Sequence, residues 1–269
     1  MAQRLYHLAE WWHLLSLDAP TVAALWSWLF VYAMHLHLSW IQAFLLPAGT
    51  WLVYVTDRIL DGMRRGAALR ERHHFHARHR LNFIIVAAFL LVLLAWSVAT
   101  QMRPQAFRDD ALIGAFALLY MFAVHRMAAR RLPKEGAVAI LFAAATAVPA
   151  WSRLHAGKEQ LAPAILFFAL LCWTNCVGIE KWEGGSLHPT SRWASLHLRS
   201  IVTMSALFSL IAAFLAPSRG LKAVYLAALL SSGLLFALDT RSSRLSPLQL
   251  RIGADAALLT PLALFPFVR

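Results

Sequence analysis

Four of the chain's 13 Asp and Glu residues fall where an apolar stretch meets polar sequence. Asp57 and Asp61 close the segment WLVYVTDRILDG (51–62), and Glu180 and Glu183 close CWTNCVGIEKWEGG (172–185). Carboxylates at such positions are costly beside hydrocarbon and are functional candidates by default. Two facing carboxylate pairs could hold hard divalent cations around a diphosphate, since Mg²⁺ prefers oxygen ligands and substrate phosphates. On a helix Asp57 and Asp61, four apart, stack on one face, with Tyr54 three residues earlier on the same stripe. Glu180 and Glu183 are three apart, Asn175 lies one residue off their stripe, and Lys181 could meet a phosphate as a point charge.

Each motif also has an ordinary reading. The first could be a polar helix end in which Arg58 pairs with Asp61, and the second an interfacial anchor built around Trp182. The loop 126–134 carries Arg126, Arg130, Arg131 and Lys134. These serve either as topology determinants or as a phosphate site beside the carboxylates. Asp255 is four residues from Arg251, which suggests a structural ion pair.

The elements that must position these groups are apolar helices. Hydrophobic residues make up 60% of the 269-residue chain and charged residues 14%, against about 25% charged in soluble domains. Mean hydropathy is +0.59. The sequence therefore reads as one polytopic, all-α integral-membrane domain over 1–269. Nine spans are expected at about 19–36, 39–60, 81–101, 111–126, 135–152, 161–182, 201–217, 221–239 and 251–268, most of them near the ~20 residues that cross hydrocarbon. The first 18 residues show no cleavable leader pattern and, with Trp11, Trp12 and His13, are expected along the interface. Cys172 and Cys176 read as small buried hydrophobes.

The net charge of +12 points to membrane topology rather than to nucleic acid. With the N-terminus cytoplasmic, 18 of the 25 Lys and Arg fall on that side and 7 on the other. The positive-inside rule then turns both acidic pairs to the cytoplasm of a bacterial-type inner membrane. The longest loop, 57–80, holds seven Arg and four His. Its interleaved arginines would repel a bound metal, so it is expected to contact anionic head groups or diphosphate.

The segment Val53-YVT-Asp57-RIL-Asp61 resembles the first Asp-rich motif of the UbiA-type intramembrane prenyltransferases, with Val53 at the usual Asn position. Asn175-CVGI-Glu180-KW-Glu183 is similar to the second motif, with Glu in place of Asp and altered spacing. The segment 15–25 (LSLDAPTVAAL) looks like the start of the family's first helix, with Asp18-Ala19 where a basic residue usually precedes Pro20. Tyr120 and the basic run that follows it look like the family's Tyr and Lys/Arg loop before helix 5. The resemblance implies a nine-helix bundle that transfers a prenyl group from an isoprenyl diphosphate to a lipophilic acceptor of aromatic or quinone type, assisted by Mg²⁺. It also implies roles for individual residues. Asp57 and Asp61 would bind one metal, and Asn175, Glu180 and Glu183 a second, the four carboxylates being catalytic. Tyr54, Arg58, Tyr120, Arg126, Arg130 and Lys181 would contact substrate. The aromatic-rich interior, with 11 Trp and 16 Phe, could stabilise a carbocation by cation–π contact. The alternative is a non-catalytic UbiA-like membrane protein that binds an isoprenoid or a partner.

Overall fold

The computed structural model describes residues 2–63, 71–101, 134–184 and 189–268, with scattered positions between 107 and 122. The described residues are helical, with no strand. In chain order the helices are α1 (Ala2–Leu14), α2 (Asp18–Ala33), α3 (Trp40–Gly62), α4 (Glu71–Arg78), α5 (Arg80–Gln101) and α6 (Lys134–Trp151). They continue with α7 (Lys158–Trp182), α8 (Pro189–Leu196), α9 (Leu198–Leu215), α10 (Arg219–Thr240), α11 (Pro247–Ala257) and α12 (Pro261–Val268).

Among the described residues, five segments are long and apolar enough to cross a membrane: α5, α7, α9, α10 and the combined stretch Pro247–Phe265. A sixth joins His7–Leu14 to α2 through a 90° bend. These lengths and compositions are those of an integral membrane protein. The expected spans at 39–60 and 135–152 coincide with helices α3 and α6, but neither is among those segments. Half of the expected span 111–126 lies outside the described residues, and the positions described there are helical.

Local sequence explains where several helices start. Ser39, Ser218 and Ser246 each accept a backbone N–H three residues on, and Ser246 with Gln249 forms a reciprocal capping box. The core is built where α2, α6, α7 and α10 meet, and Trp26 stacks on Phe168 with ring centroids 4.3 Å apart. Gly220 allows α10 to approach α2 closely, because a Cβ there would lie 2.5 Å from the Ala33 Cα. By contrast, outward positions such as Ile85, Phe89, Val92 and Trp96 on α5 and Phe214 and Leu215 on α9 are exposed and apolar, as a lipid-facing surface requires.

The expected ninth span is not one continuous helix. It breaks between α11 and α12, and Pro261 opens the second piece, a position that needs no backbone donor. Three side-chain hydrogen bonds brace the break. Trp26 Nε1 donates to the Leu258 carbonyl at 2.8 Å, Ser231 Oγ lies 2.6 Å from Thr260 Oγ1, and Thr260 Oγ1 donates to the Ala227 carbonyl at 2.9 Å. Irregular backbone at membrane depth is tolerated where protein groups satisfy it in this way.

Candidate functional site

The carboxylate-bearing ends of α3 and α7 meet around the short basic helix α4. Gly62, at the end of α3, packs on α4, where a Cβ would lie 3.5 Å from the His73 carbonyl oxygen. From α4, Arg72 Nη1 reaches Glu183 Oε1 at 3.0 Å. The two acidic segments therefore lie at the same end of the bundle, although more than a hundred residues separate them in sequence.

Glu183 is held by two guanidinium groups. Besides Arg72, Arg251 Nη1 from α11 donates to both its oxygens, at 3.3 and 3.2 Å. The expected Arg251–Asp255 pair is thus replaced by a contact from α11 to the end of α7. A metal ion at Glu183 would have to displace both arginines. Glu180 is half-buried, and Lys134 Nζ lies 3.7 Å from its Oε1. Asp57 and Asp61 are also half-buried. Asn175 is buried, and its amide donates to Asp255 Oδ1 at 3.4 Å.

Two cations expected at phosphate instead meet carboxylates. Arg58 is 3% exposed. Its Nη2 donates to Asp18 Oδ2 at 3.0 Å and its Nη1 to the His13 carbonyl at 2.7 Å. Lys181 Nζ lies 2.8 Å from Asp239, a buried carboxylate that also accepts from Trp182 Nε1 at 3.0 Å and Arg199 Nε at 2.8 Å. Tyr54 is half-buried on α3. Tyr120, Arg126 and Arg130 lie outside the described residues.

Residues to which the sequence assigned no site role complete the network. Asp18, at the first position of α2, accepts from Ala19 N at 2.9 Å, from His13 Nδ1 at 2.8 Å and from Arg58. Ser16, at φ 60°, turns the chain between α1 and α2 and places its hydroxyl 3.1 Å from His76 Nε2. His76 Nδ1–H donates to the Arg72 carbonyl at 2.8 Å, and in the neutral ring Nε2 accepts from Ser16. Burial pushes the His76 imidazole down from 6.5 to about 4; the Arg72 carbonyl opposes that shift and the Arg58 charge adds to it. One histidine of the basic loop is therefore a buried hydrogen-bonding residue packed on Phe83, with ring centroids 4.2 Å apart.

His13, Asp18 and Asp255 bring possible ligand atoms within 4.8 Å of one another. Asp18 already has three donors, so its chemistry there is that of an ion-paired anchor. Asp255 differs: its Oδ2 has no hydrogen-bond partner, and neither has Asn175 Oδ1 or Arg251 Nε. Glu135, buried at the start of α6, accepts from Ser191 at 2.7 Å and leaves its other oxygen bare. Each such orphan costs about 1–3 kcal/mol relative to a satisfied group. In the sequence, scarcity marks two of these residues, since with so few acids an Asp at the start of one apolar segment and another inside one are both conspicuous, and the i,i+4 spacing pairs Asp255 with Arg251.

Compared with protein-family models, curated proteins and solved structures, the chain gives no match.

Proposed function

We propose that this protein is a UbiA-like intramembrane prenyltransferase, which transfers a prenyl group from an isoprenyl diphosphate to a lipophilic acceptor. The observation that supports this reading is the meeting of the α3 and α7 ends around α4. A diphosphate at that end would lie among carboxylates able to recruit metal and the basic residues of α4. The same reading includes a nine-span bundle, with 111–126 as the remaining span, and a cytoplasmic placement of this end.

Asp57, Asp61 and Glu180 fit Mg²⁺ by chemistry: they are oxygen donors that retain some accessibility. Glu183 and Asn175 fit less well, since the first is clamped by two arginines and the second is turned to Asp255. We therefore assign metal binding to Asp57, Asp61 and Glu180, and to Glu183 the positioning of Arg72 and Arg251. When bound, the metal would supply charge stabilisation for the departing diphosphate. The protein's own contribution is to hold the head group at the polar end while the apolar bundle keeps water from the reacting carbon.

The test is Asp61→Ala. It is expected to abolish transfer of a radiolabelled prenyl group while membrane insertion and helical content are retained. An active, normally folded Asp61→Ala protein would refute the assignment. The clamp on Glu183 favours one second reading, a non-catalytic protein that binds an isoprenoid without metal. That reading predicts isoprenoid binding unchanged by EDTA.

A further inference from the structure

A cleft of about 380 Å³ runs between α3 and α5. Val55, Ile59 and Leu60 line it from α3, and Ile84, Ala88 and Leu91 from α5. Val55 is fully buried and forms the floor, whereas Leu60, Ile84 and Leu91 are exposed and stand as open walls. The short side chain of Ala88 leaves the hollow between these longer neighbours. Among the described residues of the next apolar stretch, Leu112, Phe116, Leu119 and Phe122 are themselves exposed rather than packed into it. Only 11% of the apolar window of α5 is buried, against 28–50% in the other four segments, so α5 gains most from a further apolar neighbour in this cleft.

The cleft has a polar end and a defined depth. Arg80, Ile84, Ala88 and Leu91 follow one another at four, four and three residues, which places them on one face of α5. Arg80, the first residue of α5, is exposed, and so is Arg78 just before it. Ile84 to Leu91 lie about 6–17 Å along the helix from Arg80, at ~1.5 Å per residue. Half of a hydrocarbon core ~30 Å thick is about 15 Å. The cleft therefore spans one leaflet, with guanidinium groups at its head. It also lies away from the acidic pair: Val55 and Ile59 are each two residues from Asp57, about 200° round α3. A diphosphate held by Asp57 and Asp61 would not place its chain here.

We propose that this cleft holds one acyl chain of an anionic phospholipid, whose headgroup phosphate meets Arg80 and Arg78. The apolar walls fit a chain of methylenes, and the net negative headgroup complements the two arginines. A zwitterionic lipid fits the walls equally but brings its own cation to the arginines. The site lies across α3 from the acidic pair, so it goes beyond the prenyl-transfer reading and stands independently of it.

The experiment is native mass spectrometry of the full-length, detergent-purified protein, titrated with dioleoylphosphatidylglycerol or dioleoylphosphatidylcholine. One phosphatidylglycerol should bind about fivefold tighter or better, the worth of one arginine near an anionic headgroup. Arg78→Gln/Arg80→Gln should erase that preference. Ala88→Phe, which fills the cleft, should remove the tightest site for both lipids. All three positions are exposed, where substitutions leave the fold nearly unchanged. Equal affinities for the two lipids in the wild-type protein would overturn the proposal whatever the variants do. So would a preference retained by a folded Arg78→Gln/Arg80→Gln, or the tight site retained by a folded Ala88→Phe. Displacement of the bound lipid by geranylgeranyl diphosphate would overturn it in favour of a prenyl-chain groove. A dimer that Ala88→Phe dissociates would overturn it in favour of a second copy of the chain. Failure of the diphosphate experiment with intact phosphatidylglycerol selectivity would reject prenyl transfer and leave this site standing.

Discussion

Replacing Arg58 with Met tests whether this arginine serves the structure or a substrate. Arg58 is 3% exposed and donates two hydrogen bonds, one to a carboxylate and one to a carbonyl, at 3.0 and 2.7 Å. Met keeps most of the apolar stem and removes both donors. Hydrogen bonds involving charged groups are worth about 1.5–3 kcal/mol each, and breaking a buried ion pair by removing one partner costs about 3–5 kcal/mol. Asp18 keeps His13 and the Ala19 amide, so the lower part of that range, about 3–4 kcal/mol, is expected. For a chain of this size that corresponds to a fall in Tm of roughly 6–16 °C, read by nanoscale fluorimetry in detergent. The double variant Arg58→Met/Asp18→Asn should lose less than the sum of the two single losses, because neither partner is left charged and alone. A fall in Tm below about 2 °C, or strictly additive losses, would refute the pairing as the reason for Arg58.

His76→Gln probes the neutral imidazole between Ser16 and Arg72. The folded value, about 4, lies below the free value of 6.5. The contribution is therefore fully present above pH 6.5 and is lost as pH falls toward 4, where the unfolded chain binds a proton that the fold resists. Measured as Tm against pH, the variant should show a shallower decline between pH 6.5 and 4 than the wild type, and parallel curves would contradict the assignment. Gly220→Ala should destabilise by about 1–3 kcal/mol, because its methyl meets the Ala33 backbone and neither helix can yield locally. An unchanged Tm would mean that α2 and α10 do not approach as closely as described.

The helices were legible because an apolar run near membrane length leaves little else for the backbone to do. Segments 81–101 and 221–239 match α5 and α10 to within a residue or two at each end. The break after Ala257 was hidden because the groups bracing it, Trp26, Ala227 and Ser231, come from distant segments. For the site, residue type at the helix ends pointed to Asp57, Asp61, Glu180 and Glu183 as groups needing an explanation. Their partners were not legible. Arg72 and Glu183 are 111 residues apart, and nothing local distinguishes an arginine that binds phosphate from one that neutralises a carboxylate. The i,i+4 spacing suggested an Arg251–Asp255 pair, but the end of α7 offered Arg251 a carboxylate able to accept two bonds from it.

The most direct test of the proposed function is a thermal-shift titration of the detergent-purified protein with geranylgeranyl diphosphate, with and without Mg²⁺. A ligand that binds only the folded state raises its apparent stability, by about 2.7 kcal/mol at a hundredfold excess over Kd. The account predicts a rise in Tm that needs both components, disappears with EDTA and is absent from Asp61→Ala. No shift with either component, or a shift indifferent to EDTA and to Asp61, would contradict it.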